Sequence, residues 1–266
     1  MTGLASRKRP ASAGFLLALA FWALALGTLG LPARAQDYAR EKRWADDIVP
    51  TLVVGNAEWL TQKNGHRFLA LYTEAAQPRG AILLAHGRGW SPDYELYGVL
   101  RTKLAEAGYT TLSIQLPVLD GSAKLVDYIA TYPDARERFQ LAVDLLASRG
   151  HRTIAIVSHS LGASMANQYL IKTDDQRVRA WVFIGIINGL EEMFRIRMPV
   201  LDIFGSRDWD VTRWGADERR AQILKMPGSA QVVVPEAEHF FEGKEDVLVE
   251  TIKAFLDRVL GPPRPG

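Results

Sequence analysis

The stretch "IAIVSHSLGASMA", residues 154–166, decides how the rest of this chain is read. An apolar, strand-like run ends abruptly in Ser158-His159-Ser160-Leu161-Gly162, and small residues with helical character follow. One reading is a nucleophile elbow, a strained strand-to-helix turn that exposes a single serine hydroxyl. The other is an ordinary strand-to-helix loop that happens to be rich in small residues. An elbow is so tight that the residues two before and two after its serine must be small, which here are Ser158 and Gly162. The usual first glycine is replaced by Ser158, a departure that a small side chain tolerates. The pattern alone occurs by chance in many chains; the strand before it and the helix after it give it weight.

Outward from this point the chain alternates between two periodicities. "GAILLAHG" (80–87), "YTTLSIQLP" (109–117), "TIAIVS" (153–158), "AWVFIGI" (180–186), "PVLDIFG" (199–205) and "AQVVVP" (230–235) read as strands, the first as one buried on both faces. Helical spacing separates them at 95–107 (Leu96, Leu100, Leu104), from Phe139 onward (Ala142, Val143, Leu146), at 161–171, at 217–226, and from about 245. In "EWLTQKNGHRFLALYTE" (58–74) apolar and polar residues alternate around Asn64-Gly65, a hairpin signal because both positions tolerate positive φ. Strands alternating with helices imply a mostly parallel sheet covered on both faces, with the hairpin adding antiparallel strands at one edge. In such sheets function sits on the loops beyond the carboxyl ends of the strands.

Those loops hold the chemistry. A serine hydroxyl is a weak nucleophile until a base takes its proton and donors stabilise the oxyanion. On this architecture the acid and then the histidine follow the serine in chain order. "DIFGSRDWDV" (202–211) offers Asp208, three residues past Gly205, and "PEAEHFFEG" (235–243) offers His239. His239 is the only histidine after the acid among the five in the chain. Asp210 on the same loop is a geometric alternative to Asp208. Asp202, inside an apolar strand, is expected to meet a buried donor, because an unpaired carboxylate there is costly. His66 and His151 fall at a hairpin turn and before a strand and read as surface residues; His159 reads as a packed turn residue. "AHGRGW" (85–90) ends another strand, and there His86, Gly87 and Gly89 support a loop whose Arg88 N–H, with that of Leu161, forms the oxyanion pair. The rival reading of that loop, a phosphate cradle, lacks both G-x-x-x-x-G-K-[ST] and G-x-G-x-x-G.

"LLAHGRG", "SHSLGASMA", "PVLDIFGSRD" and "AEHFF" stand in the order found in the α/β-hydrolase superfamily, and the chain resembles that superfamily over roughly residues 52–260. The stretch from "GAILLAHGRGWSPD" to "SIQLP" is similar to a little-characterised family of exported bacterial proteins within it. The resemblance implies the α/β-hydrolase fold with an eight-stranded sheet and the triad Ser160, Asp208 and His239. It fixes no substrate, because the fold hosts carboxylesterases, lipases, thioesterases, peptidases and non-catalytic members. The short segment "INGLEEMFRIRM" stands where many relatives insert a lid, so no large cap is expected. Tyr128, Tyr132, Trp90, Trp209 and Trp214 are candidate pocket walls.

The N-terminus has a different character. Arg7-Lys8-Arg9, an apolar stretch densest from Phe15 to Leu26, and Ala33-Arg34-Ala35 have the pattern of a signal peptide cleaved after Ala35. An uncleaved membrane anchor is the competing reading, because a spanning helix needs about 20 apolar residues. The expected organisation is a signal peptide (1–35), an N-terminal extension (36–51), the catalytic-type domain (52–260) and a loose tail (261–266). Losing residues 1–35 removes four basic and no acidic residues; 28 Lys and Arg then face 30 Asp and Glu, and a formal charge of +2 becomes −2. The basic balance therefore argues for no nucleic-acid partner. With no cysteine in the chain, disulfides and thiolate chemistry are excluded. The reading as a whole is an exported serine hydrolase acting on a small acyl compound without cofactor or metal, touching a membrane only if the signal stays attached. A non-catalytic binding or scaffold protein on the same fold is the alternative.

Overall fold

The computed structural model describes Met1 and residues 36–187 and 189–260. The expected signal peptide, apart from Met1, and the expected loose tail lie outside these residues. Eight strands form one sheet: β1 (Asn56–Thr61), β2 (Arg67–Thr73), β3 (Gly80–Ala85), β4 (Tyr109–Ile114), β5 (Ile154–His159), β6 (Val178–Ile184), β7 (Val200–Gly205) and β8 (Ala230–Val234). Their spatial order is β1-β2-β4-β3-β5-β6-β7-β8. The pairs β1/β2 and β2/β4 are antiparallel, and every pair from β4 through β3 to β8 is parallel.

The hairpin forms at the expected place with a different turn. Gln62 N–H bonds the His66 carbonyl at 2.9 Å, leaving three residues in the loop. Only Gly65 takes a positive φ (+85°), while the Asn64 side chain accepts the His66 N–H at 2.8 Å. One left-handed residue at the end of a three-residue loop suffices for this connection.

Helices cover both faces because strand side chains alternate. On one face α3 (Tyr132–Ser148), α4 (Leu161–Leu170) and Ile223 of α6 (Ala216–Ile223) bury Leu83, Ile156, Trp181 and Phe183. On the other, α2 (Leu96–Glu106) and α7 (Glu245–Leu260) bury Ile82, Val157, Val182 and Ile203. The helix expected at 217–226 is α6, and a further short helix, α5 (Asp210–Trp214), precedes it across a break at Gly215. Val200 to Gly205 is buried throughout, so the loop after β7 starts from a rigid strand. Tyr128 is buried in the core and its hydroxyl accepts the Leu119 N–H, so it packs rather than lining a pocket.

The extension carries α1 (Tyr38–Ile48), a helix outside the runs singled out in the sequence. Its buried positions are Ala45, against Leu69 and Leu71, and Glu41, whose carboxylate meets the fully buried Arg138 at 3.0 Å. The same Glu41 oxygen lies 2.9 Å from His66 Nε2, and Tyr38 stacks on that imidazole. His66 is therefore partly buried under α1 rather than a surface residue. His151 is half-buried as well, 3.2 Å from the Tyr72 hydroxyl. Among the described residues no helix is long and apolar enough to cross a membrane.

Candidate active site

β5 ends at His159 and α4 begins at Leu161, so the whole reversal falls on Ser160. Its backbone sits at φ +53°, ψ −123°, a conformation that is costly for a residue with a side chain and persists only where its surroundings impose it. One restraint is the Ser160 N–H, bonded to the Ile184 carbonyl of β6 at 2.8 Å. Another is Gly162: a Cβ there would lie 2.3 Å from the His86 carbonyl oxygen, so α4 starts against the end of β3 only because this residue has no side chain. Ser158, in place of the usual glycine, is not idle. Its hydroxyl accepts the Trp181 indole N–H at 2.9 Å and lies 3.3 Å from the Val182 carbonyl, so the extra polar atom is satisfied inside the sheet.

Ser160, His239 and Asp208 come from loops after β5, β8 and β7, and all three are buried. The Ser160 hydroxyl lies 3.0 Å from His239 Nε2, and His239 Nδ1 lies 2.7 Å from an Asp208 carboxylate oxygen. That oxygen also accepts the Trp209 N–H at 2.6 Å, while the other is buried without a partner. A carboxylate oxygen can only accept, so Nδ1 carries the proton and Nε2 faces the hydroxyl as an acceptor. Trp209, one of the candidate pocket walls, stacks on the His239 ring at 3.7 Å between centroids and 14° between planes. Phe240 meets His239, Trp90 and Trp209 edge-on, and Trp90 lies tilted against Tyr94 at 4.1 Å between centroids. Trp214 is largely exposed, away from these rings.

Gly185, which the sequence does not single out, closes the back of this group. It adopts φ +55°, and a Cβ there would come within 3.1 Å of both Asp208 and His239. The signal available is a glycine directly after a β-branched strand on the same rim. The two other candidate acids stand elsewhere. Asp202 accepts from Arg219 Nε and Gln231 Nε2, each at 2.8 Å, and Asp210 is exposed and paired with Arg213.

The loop after β3 lies beside the serine. Neither the Arg88 N–H nor the Leu161 N–H bonds another described residue. His86 is buried; its Nε2 accepts the Leu116 N–H at 2.8 Å, and its Nδ1 donates to the Gly87 carbonyl at 2.8 Å. Burial pushes the pKa of His86 down to about 4, against the opposing bond to Gly87, so the ring stays neutral with its proton on Nδ1. The Gly89 backbone (φ +72°) gives its carbonyl to Arg40 of α1. A cavity of about 1000 Å³ lies at the opposite end of the sheet, lined by the starts of β3 and β6 and several arginines. None of Ser160, Asp208 and His239 borders it.

A family model described as a protein of unknown function (DUF3530) matches residues 37–137. No curated protein matches the chain in sequence. Solved structures do match in shape. An α/β serine hydrolase without a lid from Xanthomonas campestris superposes with a TM-score of 0.64 at 16% identity, covering 80% of this chain and 98% of that one. An esterase from Pyrococcus furiosus gives 0.62 at 15% identity over 79% and 98% of the two chains. A dienelactone hydrolase from Anabaena variabilis gives 0.59 at 19% identity over 77% and 99%. The chain has the α/β-hydrolase fold. Between β6 and β7, where a lid would stand, the described residues hold one 3₁₀ turn, Met193–Arg195.

Proposed function

We propose that this chain is an exported serine hydrolase that cleaves a carboxylic ester or a related acyl compound. The observation that carries the reading is the chain of contacts Asp208–His239–Ser160, with the serine held at a positive φ between a strand and a helix. His239 Nε2 takes the hydroxyl proton as the oxygen attacks the acyl carbonyl, and Asp208 keeps the imidazole in the required tautomer and steadies its charged form. The free N–H groups of Leu161 and Arg88 receive the oxyanion. The imidazolium then protonates the leaving group, and water, activated by the same base, releases the acyl group from Ser160. Names of structural neighbours, a serine hydrolase without a lid and an esterase, agree with this chemistry. The aromatic group Trp90, Trp209 and Phe240 beside His239 suits a small apolar acyl or leaving group.

Ser160→Ala tests the nucleophile. The folded variant is expected to lose turnover on small p-nitrophenyl esters by a factor on the order of 10⁴–10⁶ and to stop reacting with a fluorophosphonate probe. Equal hydrolysis and labelling in the two proteins would remove Ser160 from the mechanism; an inert wild type would favour a binding protein on this fold. Export rests on the basic segment, the apolar stretch and Ala33-Arg34-Ala35. The exported protein is expected to begin at Gln36, and intact mass retaining residues 1–35 would instead favour the anchored form.

A further inference from the structure

His159, next to the serine, belongs to a hydrogen-bonded chain that joins three loops of the site. The Gly87 N–H donates to the Tyr97 hydroxyl at 2.8 Å, that hydroxyl lies 2.7 Å from His159 Nδ1, and His159 Nε2 lies 3.0 Å from the His239 backbone carbonyl. Chemistry at the two ends sets the direction of every bond. An amide N–H only donates and a carbonyl only accepts. Tyr97 therefore receives from Gly87 and gives its own proton to Nδ1, and His159 carries its proton on Nε2 and gives it to His239. No other arrangement of a neutral imidazole satisfies all four groups. Tyr97 and His159 are both buried. Burial, and then the neighbouring His239, push the pKa of His159 down to about 3, so the ring stays neutral where the chain works.

What this chain holds is the relative placement of three parts. At one end is Gly87, whose carbonyl is also fixed by His86. That carbonyl and the Arg88 N–H belong to one planar trans peptide, so fixing the first aims the second. At the other end is the backbone of His239, and in the middle is the residue that precedes Ser160. We propose that Tyr97 and His159 are positioning residues that hold the Arg88 N–H, the Ser160 hydroxyl and the His239 imidazole in register. The proposal rests on the serine-hydrolase reading above and adds two residues whose hydrogen bonds run to the backbone of Gly87 and His239, with the His159 ring packed 4.7 Å from the His239 imidazole.

The test is Tyr97→Phe in the full-length protein, which removes one hydroxyl and keeps the ring, alongside His159→Gln and His159→Phe. Rates are expressed per active site, counted with the fluorophosphonate probe, so that loss of folded protein does not enter. Tyr97→Phe is expected to lower kcat about tenfold to a hundredfold with KM within about twofold, because small misplacements of reacting groups cost on that scale. His159→Gln keeps a donor for the His239 carbonyl and should fall less than His159→Phe. Imidazole ¹⁵N spectra of the wild type should show His159 neutral with its proton on Nε2. Turnover per labelled site in Tyr97→Phe equal to that of an active wild type would overturn the pair alone, as would a proton found on Nδ1. A wild type that neither hydrolyses esters nor takes the probe would overturn the hydrolase reading and this role with it.

Discussion

Asp202 and Asp208 stand six residues apart on β7 and the turn beyond it, both buried, and they are built for different ends. Asp202 points from the middle of the strand at Arg219, a permanently charged partner, and a second donor from Gln231 lands on the same oxygen. Asp208 stands past the strand's carboxyl end and faces His239, a partner that can gain and lose a proton. Each leaves its second oxygen without a partner. Depth alone does not separate the two carboxylates. The partner does, because an arginine fixes a charge in place while an imidazole lets the charge come and go during a reaction.

The largest expected effect breaks the comparison at Asp208, the carboxylate that the proposed mechanism uses. Asp208→Asn keeps the shape of the turn but places an amide opposite His239. An amide N–H aimed at Nδ1 favours the tautomer with its proton on Nε2, which cannot accept from Ser160. On the proposed mechanism turnover falls by about 10⁴ with little change in thermal midpoint. Asp210→Asn serves as the control, since Asp210 only pairs with Arg213 on the surface, and should stay within about twofold of wild type. Steady-state rates and melting curves on both variants decide it. A collapse at Asp210 with Asp208→Asn near wild type would exchange the two assignments.

Much of this contrast is legible in the amino-acid sequence. The order serine, acid, histidine falls on loops after three apolar runs, and alternation with helices sends such loops to one rim. A buried donor for Asp202 is expected because its flanks are Leu201 and Ile203, and Arg219 and Gln231 are those donors. What escapes the sequence is held by polar or long-range contacts. α1 is short and mostly polar; Glu41 anchors it to Arg138, 97 residues away, and the same contact covers His66. Tyr97 reads as one more residue of an amphipathic helix, and its partner His159 lies 62 residues further on. Neither composition nor period carries information about such pairings. The single left-handed residue of the hairpin and the break at Gly215 are hidden for a related reason, since both depend on where the chain must go next.

The structural carboxylate gives a smaller effect, read in stability. Breaking a buried ion pair from one side usually costs about 3–5 kcal/mol, because the remaining charge is left in a poor solvent. The two sides of this pair are not equivalent. Burial raises the pKa of Asp202, and Arg219, which lowers it, does not fully offset that effect. The folded state thus holds this proton more tightly than the unfolded chain does. The stability contributed by the group is full below the ordinary carboxylate range, near pH 4, and is lost as pH rises through the folded value. Asp202→Asn copies the protonated form and should therefore cost less than a typical broken pair, about 1–2 kcal/mol. Arg219→Met removes the guanidinium and leaves an ionised carboxylate buried, so it should cost the full 3–5 kcal/mol or so near pH 8. Its deficit should shrink on acidification, because the stranded carboxylate then takes up a proton. Both variants should keep turnover per labelled site within about threefold, as neither side chain reaches the His239 group. Thermal midpoints measured from pH 8 to pH 5 separate the cases. A deficit in Arg219→Met that does not change with pH would mean that Asp202 is not the charge Arg219 neutralises, and the division of labour between the two aspartates would fail at its structural end.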